Sequence, residues 1–301
     1  MTVELTANLS LTTEEQSLLT MHSVLNVLNV VMAELNGLRD TVGEHPALEE
    51  AEDVVVDIAR DLRDAKLAVS HVRAAESLTS RLTDLVDRAV ADTPGAADST
   101  EVRESMENLA SVFEIFRVRA QELAARAPNP EAWVELDIGE LKHNFLEVFA
   151  AIERNSKGDY RIVYNLAAHE EGNYYVDFEI SSFRGSVIRM PPELQDVMRD
   201  LIANARKYTA PGGRIAAGLN ETEERLRFVV EDTGCGIPRE EIPKVVSFGY
   251  RGSNVQDHPT RGGGFGLTKA FYVTRRRGGR MWVESEPDRG TRIEIVIPQH
   301  S

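Results

Sequence analysis

Three short segments in the second half of this 301-residue chain limit its fold more than any other feature. They are a helix-like run at 200–208, the turn Asp-Thr-Gly-Cys-Gly-Ile at 232–237 and a glycine cluster at 262–267. Glycine has no Cβ, so a chain rich in it can turn sharply and approach a ligand closely. An Asp-x-Gly turn or a glycine cluster is common in loops when it stands alone. The order and spacing of the three segments are what indicate one α/β domain with a ligand site.

Each segment carries groups that suit a nucleotide. Asn204 offers an amide oxygen that can ligate Mg²⁺, and Lys207, on the same helix face, can neutralise phosphate charge. Asp232 can accept a hydrogen bond from an exocyclic amine such as that of adenine, and the glycines after it let the chain lie against a flat base. The glycine cluster can present backbone N–H groups to phosphate oxygens, beside the positive end of the helix that follows. The sequence therefore predicts an ATP site.

The order of these segments resembles that of the N, G1 and G2 boxes of the GHKL ATPase superfamily, in its histidine-kinase branch. The run 246–252 resembles the F box of sensor kinases, and Gly290-Thr291 resembles the late Gly-Thr that closes the adenine pocket. The resemblance covers residues 133–298 and implies ATP and Mg²⁺ as ligands, with Asn204 ligating the metal. The alternative is an unrelated α/β domain whose glycines mark turns. The residues that the resemblance assigns to the nucleotide are Asn204, Lys207, Tyr208, Asp232, Gly234, Gly236, Ile237, Phe248, Arg251, Gly262, Gly264, Gly266, Leu267 and Thr291.

Asp200 occupies a position with two interpretations, four residues before Asn204. By resemblance, ATP-hydrolysing relatives of the gyrase, MutL and Hsp90 types have a Glu there that activates water, whereas sensor kinases more often have Asn or His. The shorter Asp side chain holds its carboxylate about one bond farther from such a water. We interpret Asp200 as a polar or Mg²⁺-shell residue, with hydrolysis as the weaker alternative.

The hydrophobic pattern predicts an α+β chain, with an all-helical bundle followed by an α/β sandwich. We place the boundary at residue 130, so that 1–130 form the helical domain and 131–301 the ATP-binding domain. The stretch 238–262 has loop composition and is predicted to be a mobile lid over the nucleotide. In the second half, helices are predicted at 137–152, at 192–208 and from the glycine cluster to 276, and strands at 160–166, 174–180, 214–219, 226–231, 279–285 and 292–297.

The first half is predicted to be helical from residue 12 to residue 127. Thr12 and Glu15 have the spacing of a capping box that opens a helix. Apolar residues recur at alternating steps of three and four, which predicts either a four-helix bundle or a hairpin that completes a bundle by dimerising. The acidic helical segment 47–91 is an insertion relative to the usual hairpin of sensor kinases. Each such row of apolar residues forms a packing seam on one face of its helix. The first seam consists of Leu18, Met21, Leu25, Leu28, Met32 and Leu35, and the second runs from Leu48 to Val72.

His22 follows Met21 on the first predicted helix, with Asn26 one turn later, and its imidazole is expected to be partly exposed. This pair resembles the phosphoacceptor motif of sensor kinases, His-acid-x-x-Asn/Thr. Ser23 departs from the motif where an acidic residue usually hydrogen-bonds the imidazole, and Val27 departs where proline is common. The resemblance makes His22 the candidate phosphoacceptor and Asn26 the residue that holds the water for dephosphorylation.

Two other histidines are weaker candidates for phosphorylation. His71 and His143 lie on predicted helices but lack the match that His22 has with Asn26. The alternative interpretation of His22 is a solvated histidine on a helix flank.

Cys235 is the only cysteine, so it cannot form an internal disulfide, and a packing role is expected for it.

Charge and hydropathy limit the partners. Residues 1–130 contain 23 Asp and Glu against 11 Lys and Arg, a net charge of −12 that argues against nucleic acid or an anionic membrane as partner. The sequence has no run of about 18 apolar residues and no signal-peptide pattern at its start. We therefore expect a cytoplasmic protein that binds neither nucleic acid nor membrane.

Three functions follow from the resemblance. The first is an ATP-dependent protein histidine kinase that phosphorylates His22 within its own homodimer and passes the phosphoryl group to an aspartate on a response-regulator receiver domain, with phosphatase activity as a companion. The second is an ATP-binding regulatory or scaffold protein with a degenerate phosphoacceptor site, which Ser23 and the acidic insertion favour. The third is a serine/threonine kinase of the anti-sigma type. The intact ATP motifs favour the first.

Overall fold

The computed structural model describes residues 2–155, 158–255 and 263–299. They form two compact units, one all-helical and one α/β. The helical unit is Ser10–Pro130, and the α/β unit combines residues 2–9 with the described residues from Glu131 onward. The predicted α+β class, with a helical bundle followed by an α/β sandwich, is confirmed.

Four helices of the helical unit close a bundle within one chain. The second helix packs against the third and sixth, and the fifth also packs against the third and sixth. Of the two predicted architectures, the four-helix bundle is therefore the one observed, and the acidic insertion supplies two of its helices. The helices of the unit are α1 Thr13–Thr20, α2 His22–Val42, α3 Pro46–Asp61, α4 Ala65–Arg73, α5 Ala75–Asp92 and α6 Thr100–Arg126.

The first predicted helix is broken near its start. Thr12 and Glu15 form the predicted capping box, but α1 ends at Thr20 and α2 begins at His22, with a bend of 70° between them. The buried stripe shifts phase at this break, so the predicted Leu25 and Met32 are only partly buried. The side chains that α2 buries are His22, Val24, Val27, Leu28, Val31, Leu35 and Leu38.

The second predicted seam is also interrupted. The helix that begins at Pro46 ends at Asp61, and the side chain of Asp64 accepts hydrogen bonds from the N–H groups of Lys66 and Leu67 at the start of α4. Aspartate is a strong N-cap residue because its side chain satisfies these otherwise unpaired donors. Asp64 is a typical N-cap residue, but the apolar repeat continues past it, so the sequence predicted one continuous seam there.

Among the described residues, no single helix is both long and apolar enough to cross a membrane. α1 and α2 reach that length and apolar content only together, across the 70° bend between them. The apolar side chains of Leu28 and Leu35 on α2 are buried inside the bundle.

A seven-stranded sheet and three helices build the described part of the α/β unit. A separate two-stranded sheet pairs β2 Val134–Asp137 with β5 Val187–Met190. The helices are α7 Ile138–Asn155, α8 Glu193–Tyr208 and α9 Gly266–Arg276. In sheet order the seven strands are β1 Thr2–Glu4, β8 Arg280–Glu286, β9 Gly290–Pro298, β7 Arg225–Asp232, β6 Arg214–Glu221, β4 Tyr174–Ser182 and β3 Ile162–Val163.

The helices cover one face of this sheet. Along β7, buried apolar residues alternate with more exposed ones, which is the period of a strand with one covered face. The buried side chains meet Leu201 of α8 and Phe271 of α9 in a single core. β6 is parallel to β4 and antiparallel to β7, so the sheet is mixed. The central β7 ends at Asp232, directly opposite Thr291 of β9.

The first strand corrects the predicted domain boundary. β1 pairs antiparallel with β8, with Val3 opposite Val283, and Leu5 after it is 2% exposed in the α/β core. Residues 1–9 therefore do not belong to the helical unit, although the sequence placed 1–130 there. A strand of three residues carries too short a pattern to be recognised, because two alternations of polarity occur by chance in any chain.

Candidate functional site

Asp232 lies at the end of β7 with one oxygen engaged and one available. Its Oδ1 accepts backbone hydrogen bonds from Gly234 at 2.9 Å and from Thr291 at 3.2 Å. Within the described residues, Oδ2 accepts no hydrogen bond. Burial raises the pKa of this carboxyl to about 6, although the two N–H donors lower it. The group thus offers a fixed acceptor in poorly solvated surroundings.

Glycines hold the chain close beside this carboxylate. A Cβ on Gly234 would overlap the carbonyl oxygen of Tyr208, and a Cβ on Gly236, whose φ is +67°, would overlap that of Glu286. Gly290, with φ +103°, would overlap the backbone of β7 in the same way. The turn can follow this path only with glycine at these positions.

Ser285 joins the turn to the Gly-Thr pair of β9. The N–H of Ile237 donates to Ser285 Oγ at 2.8 Å, and this hydroxyl lies 2.8 Å from Thr291 Oγ1. It also donates to the carbonyl of Gly290 at 2.9 Å. A serine within a strand carries no distinguishing signal, so Ser285 could not be recognised from the sequence.

The C-terminal turn of α8 brings Lys207 and Tyr208 together. Lys207 Nζ lies 5.1 Å from the centre of the Tyr208 ring. Burial, and then the nearby Arg251, lower the pKa of Lys207, and burial raises the pKa of Tyr208. No carboxylate in the described part of the chain lies within ion-pair distance of Lys207. An anionic group beside Lys207 would therefore be favoured.

Asn204 faces the start of α9. A Cβ on Gly266 would lie 2.9 Å from Asn204 Nδ2, so glycine at this position leaves space for the amide. Gly264 has φ +74°, and Leu267 packs against the core. Gly262, also predicted to bind the nucleotide, lies outside the described residues. The amide of Asn204 thus lies beside a helix N-terminus, where anions are favoured.

The described part of the predicted lid is anchored by an aromatic pair. The ring of Phe248 lies 4.6 Å, centroid to centroid, from that of Phe265 just before α9. Arg251 donates from Nη2 to the carbonyl of Val255 at 3.0 Å. Residues 256–262 lie outside the described residues, so the mobility of the lid stays a prediction.

Two polar residues that the sequence analysis missed hold this segment in place. Glu241 accepts a hydrogen bond from the N–H of Ser253 at 3.0 Å, and Ser253 Oγ donates to the same carboxylate. Asn254 donates to the carbonyl of Gly236 at 2.9 Å. The lid segment is therefore tied to the turn that follows Asp232.

Asp200 is paired with a lysine from α9. Its Oδ2 lies 3.2 Å from Nζ of Lys269, a residue that is 3% exposed. The same Nζ lies 3.9 Å from Oδ2 of Asp196, one turn earlier on α8. The carboxylate of Asp200 is thus directed toward α9, in the helix turn that precedes Asn204.

His22 is buried, so the expectation of a partly exposed imidazole is wrong. It is the first residue of α2 and is 6% exposed. Its Nε2 lies 3.3 Å from Nδ2 of Asn26. The helix break at Met21 is the physical reason, because it ends the regular seam on which His22 would have occupied a flank.

The other two candidate histidines differ in their surroundings. Nε2 of His71 lies 3.0 Å from Oδ2 of Asp61, and this hydrogen bond lowers the pKa of that carboxyl. His143 is exposed on α7.

Cys235 is partly buried, and burial raises the pKa of its thiol. A raised pKa keeps the sulfur in its unreactive thiol form, which agrees with a packing role.

Residues 190–301 match the family described as "Histidine kinase-, DNA gyrase B-, and HSP90-like ATPase". The match spans α8, the Asp232 turn, α9 and the closing strands. The match and the observed α/β sandwich confirm the predicted GHKL fold for this part of the chain.

Sensor histidine kinases are among the curated proteins to which the chain is similar. Sensor histidine kinase Hik2 of Thermosynechococcus vestitus is 38% identical over 124 residues, 37% of this chain and 32% of Hik2. Sensor histidine kinase WalK of Bacillus subtilis is 33% identical over 108 residues, 35% of this chain and 18% of WalK. The solved catalytic domain of histidine kinase ThkA is similar with a TM-score of 0.40 and 20% identity, over 56% of this chain and 97% of that domain. The chain spans about a third or less of the length of these two curated relatives.

Proposed function

We propose that this protein is an ATP-dependent protein histidine kinase. The observation that carries the proposal is the carboxylate of Asp232. Its Oδ2 accepts no hydrogen bond within the described residues, and the glycines beside it bring the backbone close to this group. A carboxylate oxygen there fits the exocyclic amine of adenine. The proposal assigns Mg²⁺-ATP to the α/β unit and the phosphoacceptor to the helical unit.

The residues at the other end of the site fit a magnesium-bound triphosphate. Lys207, whose pKa burial and Arg251 both lower, would be stabilised by phosphate charge. The amide oxygen of Asn204 suits Mg²⁺, which prefers oxygen ligands, and the N-terminus of α9 suits an anion. Mg²⁺ would supply charge neutralisation at the phosphates. Around these groups, the proposal gives Tyr208, Ile237, Phe248, Leu267 and Thr291 the role of lining the nucleotide, and Gly234, Gly236, Gly262, Gly264 and Gly266 that of close backbone approach.

His22 is the proposed acceptor. An imidazole nitrogen of His22 forms a bond to the γ-phosphorus as the bond from phosphorus to the leaving ADP oxygen breaks. The rest of the chain contributes positioning and charge neutralisation, as expected for a loose transition state. Asn26 is proposed to hold the water that later dephosphorylates the receiver aspartate, and Asp200 to serve as a polar or Mg²⁺-shell residue.

Phosphorylation of His22 requires a local opening. At 6% exposure, with Nε2 directed at Asn26, the imidazole is not accessible to a nucleotide in the observed conformation. The break between α1 and α2 is the natural place for movement, because backbone hydrogen bonding is interrupted there. We place this opening before phosphoryl transfer.

The partner proposed for the second transfer is a response-regulator receiver domain. A homodimer through the helical unit is also proposed, and it would use the outer faces of the bundle because α2, α3, α5 and α6 already close its interior. The protein is proposed to act in the cytoplasm, without nucleic acid or membrane as partner.

Labelling with γ-labelled ATP tests the kinase proposal. The unaltered protein is expected to acquire acid-labile label, and His22→Ala is expected to abolish it. His71→Ala is the matched control, since it removes another helical histidine and should keep the label. Label that persists in His22→Ala would contradict the assignment of His22, and its loss in His71→Ala would point to His71 instead.

One observation favours a second candidate function, an ATP-binding regulatory protein with a degenerate acceptor. The buried His22 has Ser23 beside it, and the Ser23 hydroxyl forms no hydrogen bond within the described residues. Such a protein would bind Mg²⁺-ATP and change conformation without acquiring label. The third candidate, a serine/threonine kinase of the anti-sigma type, would place acid-stable label on an added partner.

A further inference from the structure

Three polar residues lie in a row across the end of the sheet. Ser285 of β8, Thr291 of β9 and Asp232 of β7 lie directly opposite one another on neighbouring strands. Side chains two positions apart on a strand point to the same face. The residues two positions away on these strands are buried in the core that the helices cover: Val283, Ile293 and Val230. The three polar side chains, here called the polar row, therefore face that same side of the sheet, beside the turn assigned to the base.

The hydroxyl of Ser285 uses its full hydrogen-bonding capacity. Its Oγ lies 2.8 Å from the backbone nitrogen of Ile237, 2.9 Å from the carbonyl oxygen of Gly290 and 2.8 Å from Thr291 Oγ1. A serine hydroxyl has one proton to donate and two lone pairs that accept. The N–H of Ile237 can only donate and the carbonyl of Gly290 can only accept, so the Ser285 proton goes to Gly290. All three contacts are hydrogen bonds at once only if Thr291 donates its own hydroxyl proton to Ser285.

Thr291 is left with acceptors alone. Its hydroxyl proton is directed at Ser285, and its Oγ1 makes no other hydrogen bond within the described residues. The backbone N–H of Thr291 is also engaged, since it donates to Asp232 Oδ1 at 3.2 Å. Oδ2 of Asp232 accepts no hydrogen bond in the described part of the chain. The hydrogen-bonding groups that the polar row still offers are thus all acceptors.

A row of acceptors distinguishes two classes of purine. The exocyclic amine of adenine donates protons and can pair with such a row, whereas a 6-oxopurine has a carbonyl oxygen at the same position. That oxygen would face other acceptors with no proton between them. A site that hydrogen-bonds one group rejects an analogue without the matching donor, because its buried polar groups are then left unpaired. If Thr291 were released from Ser285, its proton could be donated to the carbonyl, and part of this rejection would be lost.

We propose that Ser285 is a positioning residue that sets base specificity: by holding the hydroxyl proton of Thr291, it makes the site select a 6-aminopurine over a 6-oxopurine. The inference rests on the proposed binding of ATP to the α/β unit. It predicts that loss of the Ser285 hydroxyl changes the choice between two bases, and not only the strength of nucleotide binding.

The test compares two nucleotides that differ in the base. Calorimetry would measure the affinity of the full chain for Mg²⁺-ATP and for Mg²⁺-inosine triphosphate, whose phosphates contribute equally and cancel in the ratio. We expect the unaltered protein to prefer ATP at least about tenfold, and Ser285→Ala to lower this preference about fivefold. Ser181→Ala is the matched control and should leave the preference unchanged. It removes the hydroxyl of an exposed strand serine that accepts a hydrogen bond from Asn220 at 2.9 Å.

A second background shows whether the effect passes through Thr291. Thr291→Val has no hydroxyl proton to hold, so adding Ser285→Ala should leave the ATP preference within about twofold of that of Thr291→Val alone. If Ser285→Ala does not fold, Ser285→Cys takes its place, because the thiol has a similar shape and is a weak acceptor. It is expected to lower the preference in the same direction.

Three outcomes would overturn the proposal. The first is an unchanged preference in the Ser285 variant, with both nucleotides weakened equally or not at all, which would indicate structural support alone. The second is a loss of preference that persists in the Thr291→Val background. The third is equal binding of the two nucleotides by the unaltered protein. Failure of the unaltered protein to bind either nucleotide would instead contradict the proposed function.

Discussion

Nδ2 of Asn26 lies 3.3 Å from Nε2 of His22, one turn earlier on α2, where the imidazole is 6% exposed. An amide N–H that donates to Nε2 occupies the lone pair that a phosphoryl group would need. The two residues that the sequence assigns to phosphorylation and dephosphorylation therefore contact each other in the observed state. Their contact gives the proposed acceptor a resting form that must be broken before reaction.

Removing the Asn26 amide should make His22 more reactive. Asn26→Ala is expected to increase the initial rate of acid-labile labelling about fivefold, which corresponds to the loss of one hydrogen bond of ~1 kcal/mol. It should also slow dephosphorylation of an added receiver domain. Asn29→Ala, the same change one turn further along α2, is the control and should leave both rates unchanged. A slower or unchanged labelling rate in Asn26→Ala would argue against this resting contact.

The pH dependence of adenosine binding should report Asp232. Burial raises the pKa of this carboxyl from 3.8 to about 6, and an amine donor favours the ionised form. Affinity should therefore be level above pH 6 and fall by about tenfold for each pH unit below it. Adenosine is the probe because it has no phosphate groups that titrate in this range. A flat affinity profile between pH 5 and about pH 7 would be inconsistent with the assignment.

Ligand-free stability has the opposite dependence on pH at this residue. A carboxyl whose pKa is raised on folding binds more protons when folded, so its contribution to the free energy of unfolding is greatest below pH 3.8 and decreases as pH rises through 6. In Asp232→Asn this part of the pH dependence should disappear. Denaturant unfolding at several pH values measures the difference between the two proteins.

Gly266→Ala should damage metal-nucleotide binding without unfolding the protein. Gly266 has no positive φ, and its Cβ would lie 2.9 Å from Asn204 Nδ2, so the amide must move. We expect Mg²⁺-ATP affinity to fall about tenfold and adenosine affinity to stay constant. The matched control is Gly37→Ala on α2, where the new Cβ would lie 3.8 Å from Ser105 Oγ and should stabilise the helix by about 1 kcal/mol. Equal nucleotide affinity in both variants would contradict this account.

Leu5 should stabilise the α/β unit despite its position before the helical unit. It is 2% exposed beside β8, so Leu5→Ala is expected to lower the free energy of unfolding by about 2–5 kcal/mol. Both tryptophans of the chain, Trp133 and Trp282, lie in the α/β unit, and their fluorescence therefore reports its unfolding. Leu67→Ala, at a side chain 47% exposed, is the control. Equal fluorescence midpoints for the two variants would show that the β1 segment does not stabilise this unit.

The sequence predicted those features that long repeats and spaced motifs encode. The helix α8, the strand β7 that ends in Asp232 and the glycine-led α9 all occur close to where the pattern placed them. Side chains of these elements face their neighbours through regular periods of 3.6 and 2 residues, which the sequence displays directly. The bundle core around Leu28 and Leu48 was found for the same reason.

Other features depend on contacts between distant residues, and these were missed. The pairing of Val3 with Val283, the ion pair of Lys269 with Asp200 and the burial of His22 leave no local pattern in the sequence. Lys269 in particular looks like an ordinary polar residue of a surface helix until α8 is placed beside it. A single sequence shows which side chains share a face, and it does not show which faces meet.

Recognition of the exocyclic amine of adenine by Asp232 can be measured with one pair of ligands. Purine riboside triphosphate lacks only that amine, so calorimetry with it and with ATP isolates the contact. We expect the unaltered protein to bind ATP about 10- to 100-fold more tightly, as the loss of a hydrogen bond to a charged group implies, and Asp232→Ala to bind both ligands equally. Equal affinity of the unaltered protein for the two triphosphates would contradict it.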